Sequence, residues 1–89
     1  MARRTAPAEN GAKTFWDAED LIGQVAKNDR GEVIQVRRTE KSGRAYVDVR
    51  VFYPGNDGEL LPGKGIALPA DLADEVAGLI LQATEAVRR

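Results

Sequence analysis

From Arg44 to Tyr53 the chain alternates. Ala45, Val47, Val49 and Val51 fall on one side, and Arg44, Tyr46, Asp48, Arg50 and Phe52 on the other. A period of two predicts a strand of an antiparallel sheet with one covered face. Just upstream, "EVIQVRRT" is apolar and β-branched and ends in two arginines, which predicts the preceding strand. "EKSG" between them reads as a tight turn in which Gly43 is free to take positive φ. "PGNDG" is a further turn. "ELLPGKGIALP" predicts a last strand interrupted by Pro62, Gly63 and Gly65. Proline cannot donate to a ladder, so this strand belongs at an edge or contains a bend. From Ala70 the period changes: Leu72, Val76, Leu79, Ile80, Ala83 and Val87 form an apolar stripe at helical spacing. Asp71 suits the start of that helix, and Arg88 and Arg89 suit its end.

The N-terminal third is less regular. Thr14 could cap a helical turn, or a first strand runs from Asp20 to Lys27 and turns at "KNDRG". The strand is the favoured reading, with Phe15 and Trp16 packing near its start. Residues 1–13, Ala-rich with a proline and a glycine, read as a disordered tail, leaving 14–89 as the domain. The expected class is α+β: a four-stranded antiparallel meander followed by one C-terminal helix that covers its apolar face.

At 89 residues the chain forms one small domain, of a size that often needs a second copy for stability. It has neither cysteine nor histidine. Disulfides, cysteine-held zinc, a Ser-His pair and the commonest metal ligand are therefore out of reach, and no cofactor or metal is expected. "PGKG" lacks the spacing and the following Ser or Thr of a phosphate-binding loop. Nothing argues for an enzyme. No apolar run approaches the roughly 20 residues of a membrane span. The arginines near the N-terminus precede no apolar run, so neither a secretory signal nor a membrane partner is expected. The expected location is cytoplasmic, nucleoid-associated if the source is bacterial.

Net charge is −1, but its distribution is uneven. Val33 to Tyr53 holds five basic residues against two acidic ones, while Ala70 to Val87 holds four acidic and no basic residues. Single-stranded nucleic acid is bound by basic side chains that track phosphates and flat rings that stack on bases. Arg44, Tyr46, Arg50, Phe52 and Tyr53 supply both kinds. An equally good reading is that the rings shield the sheet and the arginines pair with Asp48 and Glu40.

"YVDVRVFY" and "DGELLPGKGIALP", in this order and spacing, resemble the single-stranded-DNA-binding domain of the transcriptional coactivator positive cofactor four, including its bacterial relatives. The resemblance runs from about Glu32 to the end of the helix. It implies a curved four-stranded sheet, a long helix, and a homodimer paired through the helices at Leu72, Val76, Leu79, Ile80 and Ala83. It implies single-stranded DNA as ligand, with contacts falling on Arg38, Lys41, Arg44, Arg50, Tyr53 and Lys64, and the transcription machinery as a partner; Arg37 and Tyr46, from the charge and ring pattern of the strands, complete the candidate nucleic-acid residues. Three positions depart from the family pattern. Lys64 stands alone where the loop usually carries adjacent basic residues; Thr39 stands where an aromatic is usual; Leu72 stands near the family's helix tryptophan. A weaker binder is expected. Two alternatives remain: a dimeric protein-interaction module that recruits a partner without DNA binding, and an RNA-binding or RNA-chaperone protein.

Overall fold

The structure, a computed structural model, describes residues 4–5 and 15–89. Its elements are β1 (Arg4–Thr5), β2 (Ala18–Ala26), β3 (Val33–Lys41), β4 (Arg44–Pro54), β5 (Leu60–Pro69) and α1 (Ala70–Val87). Strands β2 to β5 form the expected antiparallel meander, each beside its neighbour in sequence. The two residues of β1 pair with Asp20 and Glu19 at the β2 edge. Apart from them, the expected tail over 1–13 lies outside the described residues. The first long strand starts at Ala18, two positions before the sequence expectation.

The β3–β4 ladder runs without interruption from Lys41↔Arg44 to Val33↔Phe52. Ser42 (φ 53) and Gly43 (φ 79) close it with two consecutive positive-φ residues. That is the backbone of a two-residue turn whose twist matches the flanking strands. The other two long ladders each carry an irregularity. β2 gains one residue between Leu21 and Gly23. On β5, Gly63 and Lys64 together stand opposite Val51, between the pairs Phe52↔Pro62 and Arg50↔Gly65. The bend anticipated at Pro62–Gly65 is this bulge, and β5 is an edge strand, as a proline-bearing strand should be.

Alternation and register divide the long strands into two faces. The first carries Glu19, Arg37, Thr39, Tyr46, Asp48, Arg50 and Phe52. The second carries Ile34, Val36, Val47, Val49, Val51, Ile66 and Leu68. The first face is the buried one over much of its area. Thr39 and Asp48 are fully enclosed, and Glu19 and Phe52 nearly so. Most of the valine face is half-exposed, and Ile66 is 57% exposed.

The helix does not cover the valine face, contrary to the expectation. α1 contains no buried residue and meets only β4 and β5. Leu72, Leu79, Ile80 and Val87 of its stripe are exposed. The cause is local. α1 begins at Ala70, directly after the last residue of β5, so no loop is available to swing it back over the sheet. No helix among the described residues is long and apolar enough to cross a membrane.

Candidate nucleic-acid interface

Five carboxylates, Asp17, Glu19, Asp20, Glu40 and Asp48, hold Arg37, Arg38, Lys41 and Arg50 of β3 and β4. Glu19 pairs with Arg37 in a short contact, and the Arg37 guanidinium carbon lies 5.2 Å from the centroid of the Phe52 ring. Burial pushes the Arg37 guanidinium below its ordinary pKa, with Asp48 opposing that shift. Arg38 Nη1 donates to Asp20 Oδ2 at 3.1 Å, and Nη2 pairs with Glu40. The Glu40 hydrogen bond is the main cause of a raised Arg38 pKa. Arg50 Nε and Nη2 donate to Asp48 Oδ2 and Oδ1 at 3.0 and 2.8 Å, a bidentate fork. Its Nη1 donates to the carbonyl oxygen of Gly63 at 2.9 Å. The hydrogen bond to Asp48 raises the Arg50 pKa.

The aromatic residues sort as clearly. Phe52 is a core ring, only 8% exposed, and not a stacking surface. Tyr46 packs against Trp16, with ring centroids 5.3 Å apart. Phe15 packs edge-on against Trp16 and lies 4.7 Å beneath the Lys41 ammonium. Lys41 also lies 3.9 Å from Asp17. Asp17 accepts a 2.8 Å bond from the turn amide of Ser42, so the segment before β2 is fastened to the β3–β4 hairpin. Tyr53 is 41% exposed. By alternation it sits on the valine face, beside Leu61, and not on the face of Arg50.

The eight residues singled out for nucleic acid therefore do not form one track on one face. Arg37, Lys41, Arg44, Tyr46 and Arg50 share the first face; Arg38 and Tyr53 lie on the second; Lys64 leaves β5 at the bulge. Arg44 and Lys64 are exposed, and neither pairs with another described residue. An open cleft of about 540 Å³ joins Arg44 and Tyr46 to Pro69 and Leu72, at the junction of sheet and helix. Of the helix stripe, Leu72, Leu79, Ile80 and Ala83 are exposed and Val76 is half-buried.

Two participants were not anticipated. Trp16 covers Tyr46, and the Gly63 carbonyl anchors Arg50. The acidic run "WDAED" before and within the first strand signals part of this, since hairpin register brings Glu19 and Asp20 beside the β3 arginines. No group of three or more acidic, histidine or cysteine residues suited to a metal occurs among the described residues.

The sequence profile described as Transcriptional Coactivator p15 (PC4) matches residues 28–77, which take in β3, β4, β5 and the start of α1. The chain is 37% identical over 81 residues to the RNA polymerase II transcriptional coactivator SUB1 of Saccharomyces cerevisiae. That alignment covers 89% of this chain and 26% of the yeast protein, so the chain spans about a quarter of its relative's length. Among solved structures, a PC4 homolog from Burkholderia pseudomallei K96243 superposes with a TM-score of 0.68 at 29% identity, covering 80% of this chain and 96% of that one.

Proposed function

Because the chain belongs to the Transcriptional Coactivator p15 (PC4) family, we propose that it is a non-enzymatic DNA-binding protein of the coactivator type. It acts as a homodimer that binds single-stranded DNA with little sequence preference, regulating transcription or protecting unwound DNA. Its further partners are components of the transcription machinery, and its place is the cytoplasm, on the nucleoid if the source is bacterial.

The observation that carries this reading is the content of the matched stretch. Residues 28–77 include Arg44 and Lys64, exposed cations without a partner among the described residues, and the exposed ring of Tyr53. Cations track phosphates at any sequence, and a ring stacks on any base. The exposed stripe of α1 and the open valine face are what a second copy would cover.

The test is a titration with a labelled single-stranded oligonucleotide and with its perfect duplex, each at several salt concentrations. The single strand should bind tighter, and each phosphate neutralised should contribute roughly −0.7 to the logarithmic salt slope. Tighter binding to duplex would contradict the reading. An RNA strand of the same sequence, run as competitor, separates the RNA-chaperone alternative from DNA preference.

A further inference from the structure

We propose that Arg50 is a positioning residue for the nucleic-acid surface: it pins the β5 bulge so that Lys64 and Tyr53 are held in place. This deepens the single-strand-binding reading and rests on it.

The anchoring begins at the bulge. Gly63 and Lys64 share the position opposite Val51, so the ladder alone does not fix the plane of their common peptide. Pro62, immediately before, has no N–H to offer. The Gly63 carbonyl that begins this peptide accepts a 2.9 Å hydrogen bond from Arg50 Nη1. The rest of that guanidinium is clamped on both oxygens of Asp48, a carboxylate with no exposed surface. Asp48 thus anchors Arg50, and Arg50 anchors the peptide from which Lys64 departs.

The neighbouring glycines show how closely β5 is pressed onto this residue. A Cβ on Gly65 would lie 2.6 Å from Arg50 Cβ, 2.7 Å from Arg50 Cα and 2.5 Å from the Val49 carbonyl oxygen. No side chain fits there without moving backbone. Within the bulge, a Cβ on Gly63 would lie 3.1 Å from the Val51 carbonyl oxygen and 3.4 Å from Cδ1 of the Tyr53 ring, so the same glycine lies beside that ring. The pinned peptide therefore touches both features of the surface: it carries Lys64, and it lies against Tyr53. Arg50 itself is 24% exposed at its side chain and spends Nε, Nη1 and Nη2 inside the chain.

The experiment uses the full chain with Arg50→Lys, Asp48→Asn, the Lys64→Ala, Tyr53→Ala double variant and Arg50→Lys in that double background, each with a labelled single-stranded oligonucleotide across a salt series. Arg50→Lys keeps the charge and loses the fork. If Arg50 positions the bulge, this variant binds about tenfold more weakly, the equivalent of one stacking contact. Most of that loss disappears when it is made in a Lys64→Ala, Tyr53→Ala background. If Arg50 simply meets a phosphate, Arg50→Lys binds like the parent, and the proposal fails.

Asp48→Asn gives the two ideas opposite signs. It removes a negative charge and loosens Arg50. Weaker binding is expected from a lost anchor; tighter binding with a steeper salt slope would mean a freed guanidinium contacting phosphate, and would overturn the proposal. Amide chemical shifts and hydrogen exchange at residues 63–65 of free Arg50→Lys read the pin without DNA. They should move relative to the parent, and unchanged values would refute the pin. A parent protein that binds no single strand would sink the function reading, while the free-protein spectra judge the pin separately.

Discussion

The two faces of the sheet are built from opposite materials and have opposite fates. The charged face is largely closed, with Thr39 and Asp48 fully buried and Arg37, Arg50, Glu19 and Asp48 joined in ion pairs. Most of the valine face is half-exposed, and the apolar stripe of α1 contains no buried residue. An isolated chain that encloses its charges and leaves its valines half-exposed departs from the usual arrangement. The departure is stable on the charged side because each ion has a geometric partner: Arg37 has Glu19, and Arg50 has a two-pronged grip on Asp48. On the valine side Arg38 pairs with Asp20 and Glu40, while the apolar side chains are only partly covered by the described residues. The same contrast separates structural cations from those available to a ligand. Arg37 and Arg50 work within the fold, whereas Arg44 and Lys64 face solvent.

The contrast can be broken first on the open side. Leu79→Asp places a carboxylate in the helix stripe. If that stripe is covered by a second copy, an unpaired charge there costs several kcal/mol and the dimer is lost. Sedimentation should give a species of half the parent's mass. A variant that remains as associated as the parent would remove α1 from the interface.

On the closed side, Arg50→Ala leaves Asp48 buried without its counter-ion. Removing one partner of a buried pair destabilises by roughly 3–5 kcal/mol, read as a lower urea midpoint. A melt unchanged from the parent would show that the charged face does not depend on this pair. Tyr53→Ala removes an exposed ring and no charge. It should weaken single-strand binding by roughly 1–3 kcal/mol with the salt slope nearly unchanged. A variant that melts and binds like the parent would show Tyr53 has no part in stacking.

The smallest effect lies in the β2–β3 turn, away from both faces. Glu32 accepts hydrogen bonds from Asn28 Nδ2 at 2.8 Å and Lys27 Nζ at 3.2 Å, and the Asn28 bond is the main cause of a pKa below the ordinary glutamate value. A depressed carboxyl pKa stabilises the fold above the unfolded value and is lost as pH falls through the folded one. Asn28→Ala should therefore lower stability slightly at neutral pH and narrow the difference from the parent in acid. An equal difference at both ends of the titration would mean Asn28 acts independently of the Glu32 charge.

Much of the fold was legible because local signals agreed. The alternation of β4, the Ser42–Gly43 turn, the proline-bearing edge strand and the switch to helical spacing at Ala70 each point to one element. Packing between elements was less legible. Apolar alternation said that β4 has a valine face, and the switch at Ala70 put the helix directly after the last strand, but spacing alone does not give the direction in which α1 leaves the sheet. The site was obscured for a related reason. Counting charge from Val33 to Tyr53 leaves out Glu19 and Asp20, about 18 residues away in sequence and beside Arg37 and Arg38 in the sheet. The pairing of Arg50 with Asp48 and of Arg38 with Glu40, one of the two readings open from sequence, is present. Tyr53 shows the limit of reading adjacency as proximity: next to Phe52 in sequence, it lies on the other side of the sheet.

If a second copy completes this molecule, the half-exposed valine face and the helix stripe are the surfaces it covers. Sedimentation equilibrium of the unmodified chain at micromolar concentration tests it without DNA or mutation. A dimer closed in this way gives a species of twice the chain mass, persisting on dilution through the micromolar range. A monomer throughout that range, with a cooperative thermal melt independent of concentration, would contradict it.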